Sequence, residues 1–135
     1  MRTAASRSGE KDVMGQFKIK RVYEAANDED GVRVLVDRLW PRGMTKERVG
    51  AEAWLKEIAP TPELIRWFGH RPERFEEFRE RYLAELKSGS AAPHLNRLRS
   101  WAKERDVTLL YGARDERHNQ AIVLKRYLED SADYC

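Results

Sequence analysis

The order of apolar patterns along this chain predicts an α/β domain: a small, mostly parallel sheet flanked by helices, in a single compact unit. Three observations carry that expectation. The runs Val34-Leu35-Val36 and Val107-Thr108-Leu109-Leu110-Tyr111 do not alternate with charge, as expected of strands covered on both faces. Around them lie segments whose apolar residues recur every three or four positions, the period of a helix packed on one side. Each run also ends in a turn dense with charge, Asp37 to Gly43 and Gly112 to Asp115. Sites in open parallel sheets form at such strand ends.

The elements follow in order. Phe17 to Tyr23 alternates apolar and charged residues, with Phe17, Ile19 and Arg21 on one side, and reads as a first strand at an edge. Glu24 to Gly31 is a polar loop closed by the turn pair Asp30-Gly31. After the central strand, Thr45 caps a short helix over Lys46 to Val49. Ala53 to Ile58 reads as a short third strand, stopped by Pro60 and Pro62. Thr61-Pro62 is a cap followed by proline in the first turn, and Leu64, Trp67 and Phe68 form one apolar face. Gly69-His70-Arg71-Pro72 ends that helix and begins the next, whose buried face is Phe75, Phe78, Tyr82, Leu83 and Leu86. Ser88 to Pro93 is a connector too short for a domain boundary. Leu95, Leu98, Trp101 and Ala102 mark a further helix. After the last strand Asp115 caps the final helix, with Ala121, Leu124 and Leu128 inward. Residues 1–15 are expected to form a disordered tail, 16–130 the domain and 131–135 a frayed end.

Composition narrows the function classes. With 41% hydrophobic and 36% charged residues, 135 residues support one core beneath a highly charged surface. The net charge of +3 is mildly basic and admits an anionic ligand. Acids and bases alternate, as in Arg74 to Arg81, so a nucleic-acid partner has weak support. Cys135 is the only cysteine, which excludes an internal disulfide and a cysteine-based metal cluster. No apolar run approaches the roughly 20 residues of a membrane helix, and Met1 to Val13 lacks the apolar stretch of a secretory signal. A cytoplasmic location is the expectation.

Chemistry is expected where the two strand-end turns meet. Parallel neighbours would bring Asp37, Arg38, Trp40 and Arg42 together with Arg114, Asp115, His118 and Asn119. Arg38, Arg42 and Arg114 would hold a carboxylate or phosphate, for which guanidinium forks are suited. Asp37, Asp115 or His118 would move protons, Asn119 would orient the ligand, and Trp40 would contact it. His118 is expected in the first turn of the last helix, where the dipole favours a neutral imidazole. The structural alternative is that Asp37 pairs with Arg38 and Arg114 with Asp115 as braces. Lys56 and His70 are lesser candidates. The three histidines lack metal-ligand spacing, and no glycine-rich phosphate loop or nucleophile elbow occurs, so neither metal nor cofactor is expected. The functional reading is an Arg-rich cleft that binds, or acts on, a phosphorylated or nucleotide-like small molecule. Beside it stand a non-catalytic nucleic-acid or anion-binding module and an interaction protein, for which a homodimer is one form.

Four blocks carry a family resemblance. Val36-Asp37-Arg38-Leu39-Trp40-Pro41-Arg42-Gly43, Trp54 to Pro60, Arg66-Trp67-Phe68-Gly69-His70, and Leu109 to Asp115 followed by His118 to Ala121 resemble the YeaO-like family of small bacterial proteins of unknown function. The resemblance implies a Rossmann-like α/β domain in a bacterial, cytoplasmic protein, and it supplies no reaction. Members of the broader superfamily often carry Cys-His-Arg near the start of the last helix. Here His118-Asn119-Gln120 stand in that place.

Overall fold

The computed structural model describes residues 15–132. Of the expected tail (1–15) and frayed end (131–135), residues 1–14 and 133–135 lie outside the described residues. The strands are β1 (Phe17–Arg21), β2 (Val32–Leu35), β3 (Ala53–Trp54) and β4 (Val107–Tyr111). The helices are α1 (Lys46–Val49), α2 (Pro62–Phe68), α3 (Phe75–Leu86), α4 (Ala92–Ala102) and α5 (Gln120–Ala132). The sheet order is β1-β4-β2-β3, and every pairing is parallel. The α/β expectation holds, and β1 is an edge strand as its alternation implied.

Strand alternation divides the interior unequally. Val32, Val34 and Val36 join Val107, Leu109 and Tyr111 in the larger core, beneath Leu64, Phe78, Tyr82, Leu98 and Leu124 of the helices. Leu35 and Leu110 point the other way, into a small cluster with Val22, Met44 and Val49. Four helices therefore cover one face, and the four-residue α1 covers part of the other.

The rest of that second face is polar and buried. Arg33, in β2, donates Nε and Nη2 to the Val49 carbonyl at 3.2 and 2.7 Å. Its Nη1 meets the Asp30 carboxylate at 2.5 Å, and Lys20 reaches the same carboxylate at 3.1 Å. Burial pushes the Asp30 pKa up, but the Lys20 and Arg33 hydrogen bonds outweigh it and hold the group below the ordinary value. Thr108 donates to the Asp30 carbonyl at 2.7 Å. Gly31 follows at φ 66°, its Cα so close to the Asp106 carbonyl that a Cβ would sit 2.1 Å from the oxygen. This turn accepts only glycine.

Two local readings are corrected. The expected third strand ends after Trp54, and Lys56–Ile58 forms a 3-10 turn. Leu55 and Ile58 are both buried, at 4% and 1% exposure, while Lys56 and Glu57 are exposed. Residues three apart point to opposite faces of a strand but to the same side of a 3-10 turn, so burial selects the turn. The second correction concerns the last helix. Asp115 accepts the Arg117 and His118 amides at 2.9 and 3.0 Å and so closes a preceding turn. Asn119, just before α5, supplies the cap by accepting the Ile122 amide at 3.0 Å. His118 thus lies one residue ahead of the cap, not in the first turn of the helix.

Replacing Arg33 with methionine would leave the Val49 carbonyl unpaired and take a cation from Asp30. Urea denaturation should show a loss of about 3 kcal/mol. Arg81→Ala, which removes an exposed contact to Glu77 and a guanidinium 4.5 Å from the Trp67 ring centre, should cost about 1 kcal/mol or less.

Candidate functional site

The strand-end turns do meet. β2 and β4 are hydrogen-bonded neighbours with Leu35 opposite Leu110, and the Val36 amide extends the ladder to the Leu110 carbonyl at 3.1 Å. One residue later, the Asp37 carboxylate accepts the Gly112 amide at 2.8 Å. Its other oxygen accepts the Gln120 side-chain amide. The indole of Trp54 donates to the Asp37 carbonyl at 2.7 Å, so backbone and side chain are both held. Arg21 donates to the Ala113 carbonyl at 2.9 Å and steadies the turn that presents the Gly112 amide.

Asp37 lies in a cleft of about 290 Å³. Ala59, Pro60, Ile65, Phe68 and Phe78 supply apolar wall; Arg38, His70, His118 and Asn119 supply the polar remainder. A second hollow adjoins it, sharing His70, Gly112 and Ala113 and adding Arg114 and Asp115. Burial raises the Asp37 pKa to about 6, against the opposing Gly112 and Gln120 hydrogen bonds and the nearby His70 charge. Half-buried carboxylates with raised pKa values, set in clefts, are typical of functional sites. Gly112 has no side chain for a steric reason: a Cβ there would come within 3.1 Å of an Asp37 oxygen.

The remaining candidates separate. Among the described residues, Arg38 pairs with neither Asp37 nor another acid. It donates to the Ala59 and Pro60 carbonyls at 3.0 and 3.3 Å and so fixes one wall. That wall is tied to α3 from behind, where buried Tyr82 donates to the Ile58 carbonyl at 2.7 Å. Trp40 and Arg42 are not among the residues lining the cleft. The Trp40 indole donates to the Met44 carbonyl at 2.7 Å and packs edge-on to Trp54, with ring centres 5.4 Å apart. The Arg42 carbonyl accepts the Tyr23 hydroxyl at 3.1 Å. Lys56 lies 5.2 Å from the Trp54 ring centre, outside the cleft. The anticipated convergence of three guanidinium groups is therefore reduced to Arg38 in the cleft and Arg114 in the adjoining hollow.

The His118 Nδ1 lies 2.9 Å from the Asp115 carboxylate, and its ring stands edge-on to Phe75 at 5.2 Å. The Arg117 amide, then the His118 ring, hold the Asp115 pKa below its ordinary value. Asn119 is 1% exposed and donates to the Asp115 carbonyl at 2.9 Å, so its amide shapes the turn. Of the remaining cleft residues, sequence reasoning held His70 only as a lesser candidate and passed over Gln120. Gln120 left no pattern to find. His70 did leave a signal: it follows Gly69 at a helix end and continues the left-handed turn at φ 57°, an uncommon conformation for a residue with a side chain. Among the described residues no group of three or more His, Cys, Asp or Glu is arranged to hold a metal ion, and no helix is long and apolar enough to cross a membrane.

Comparison with known proteins adds a family and no activity. Residues 16–134 match a family described as the inactive DUF488-N3 subclade. The chain is 44% identical to the uncharacterized protein YeaO of Escherichia coli (strain K12), over 83% of this chain and 96% of that protein. It is 45% identical to the uncharacterized protein Rv3073c of Mycobacterium tuberculosis (strain H37Rv), over 62% of this chain and 70% of that one. No solved structure gives a significant match.

The raised Asp37 pKa fixes a sign. Folding favours the protonated group, so its contribution to stability is most favourable below pH 3.8 and falls as pH rises towards about 6. Asp37→Asn removes that titration, and Gln120 can turn its carbonyl towards the new amide. The variant should gain on the parent across this window and level off at roughly 3 kcal/mol above it. Paired denaturant titrations at pH 4 and pH 7.5 check this; equal differences at both would refute it.

Proposed function

This chain belongs to the inactive DUF488-N3 subclade, and on that premise we propose that it is a binding domain whose cleft takes a nucleotide-like small molecule. One observation carries the reading: a carboxylate, Asp37, braced on both oxygens and half-buried in an otherwise largely apolar cleft. A carboxylate with spare lone pairs recognises a ligand edge rich in N–H donors. The flat walls of Phe68, Phe78 and Pro60 fit a planar ring, and the volume fits one small heterocycle with its substituent. An anionic group on that substituent would lie towards Arg114 and His70 in the adjoining hollow.

Binding without turnover has two supports. The subclade is described as inactive, and His118-Asn119-Gln120 stand where a thiol occurs in the wider superfamily the sequence resembles. In this reading Asp37 accepts a hydrogen bond, Asp115 and His118 shape the rim, and Asn119 caps α5. The arginine-lined anion cleft drawn from the sequence becomes a mixed site, with an acid at its floor and cations at its edge.

A panel of nucleosides and nucleoside monophosphates, read by thermal shift and calorimetry at pH 7.5, tests the proposal. At least one purine or pyrimidine should bind, and Asp37→Asn should weaken it by at least tenfold. Because the ionised carboxylate is the acceptor and titrates near pH 6, affinity for a neutral nucleoside should fall about tenfold between pH 7.5 and pH 5. His70→Gly relieves the left-handed strain and should keep the fold while weakening the monophosphate more than the nucleoside. Indifference to the whole panel, or pH-independent binding, would remove Asp37 from recognition.

A further inference from the structure

The exposed apolar side chains of this protein are not scattered. Among the described residues the large ones are Tyr23, Leu39, Trp40, Trp54 and Ile65. Each is tied to the mouth of the Asp37 cleft. Leu39 and Ile65 line it, and Leu39 is 77% exposed. Trp54 is anchored on the Asp37 carbonyl and Trp40 packs against Trp54. Tyr23 bonds the Arg42 carbonyl and flanks Gly112. Concentrated exposure of this kind marks an interaction surface.

The cations beside it indicate what it binds. Lys56 lies 5.2 Å from the Trp54 ring centre, and the Arg21 guanidinium 5.2 Å from that of Tyr23. Arg42 and Arg114 stand exposed on the two turns. Three rings for stacking, two of them accompanied by a positive charge, stand beside a cleft for one heterocycle and match the chemistry of single-stranded nucleic acid. The cations are few, and Glu52 and Glu57 flank β3, so the long phosphate track of a duplex is not provided for. We propose that this aromatic ledge binds a short single-stranded nucleic acid, stacking the bases next to the one held in the cleft. The proposal rests on the nucleotide-like reading of that cleft.

Fluorescence anisotropy with single-stranded octanucleotides of DNA and RNA, their duplexes, and the matching mononucleotide tests it. A single-stranded octamer should bind at least tenfold more tightly than the mononucleotide and than its duplex. The Arg42→Gln, Lys56→Gln double variant alters exposed side chains. It should weaken the octamer but not the mononucleotide, and reduce the slope of log affinity against log salt by about 1.4. Trp54→Ala should cost about tenfold or more in octamer affinity. If the mononucleotide binds and the octamer gains nothing, the ledge proposal fails while the cleft reading stands. If the octamer binds and Asp37→Asn leaves it unchanged, no base sits at Asp37, so the cleft reading fails and with it the ledge as an extension of the cleft. Silence from both ligands overturns both. A concentration-dependent dimer abolished by Trp54→Ala, with no oligonucleotide binding, would assign the ledge to a second copy of the chain.

Discussion

The parallel pairing of β2 with β4 is the constraint from which the site follows. With Leu35 opposite Leu110, the ladder continues one bond further at Val36 and then hands over to a side chain. The Gly112 amide, which would pair with backbone in a longer strand, bonds the Asp37 carboxylate instead. A one-residue slip would turn Val34 and Val36 out of the larger core, so burial of those side chains holds the register. The carboxylate is thereby placed by the hydrophobic core.

The two faces of the sheet divide the labour. The helical face supplies most of the burial and, through Phe68 and Phe78, one wall of the cleft. The other face is too small to be closed by apolar residues. It closes with the Asp30, Arg33 and Lys20 network, in which every charge has a partner, the condition under which buried ions are tolerated. Arg33 also holds the end of α1 through Val49, and α1 follows the turn that carries Trp40 and Arg42.

The arginines show how charge at strand ends is divided between bracing and binding. Arg21 and Arg38 donate to backbone carbonyls of the turns, Ala113 for one and Ala59 and Pro60 for the other. Arg42 and Arg114 keep exposed positions. Residue type and position in the chain are the same in kind for all four. What separates them is whether an unpaired carbonyl lies within reach, and that depends on chain segments some twenty to ninety residues away.

Local information was enough for much of the architecture. The unbroken apolar runs marked β2 and β4, Thr45 and Thr61 marked helix starts, and Gly69 a helix end, because backbone preference and side-chain periodicity are written into neighbouring residues. The two charged turns were also legible, as was their meeting if the strands paired. The tertiary structure decided the rest. It made Leu55 to Ile58 a turn, moved the helix start beyond His118, brought His70 and Gln120 to Asp37 and kept Trp40 and Arg42 outside. Each of these depends on which groups are buried together, and burial belongs to the packed chain as a whole.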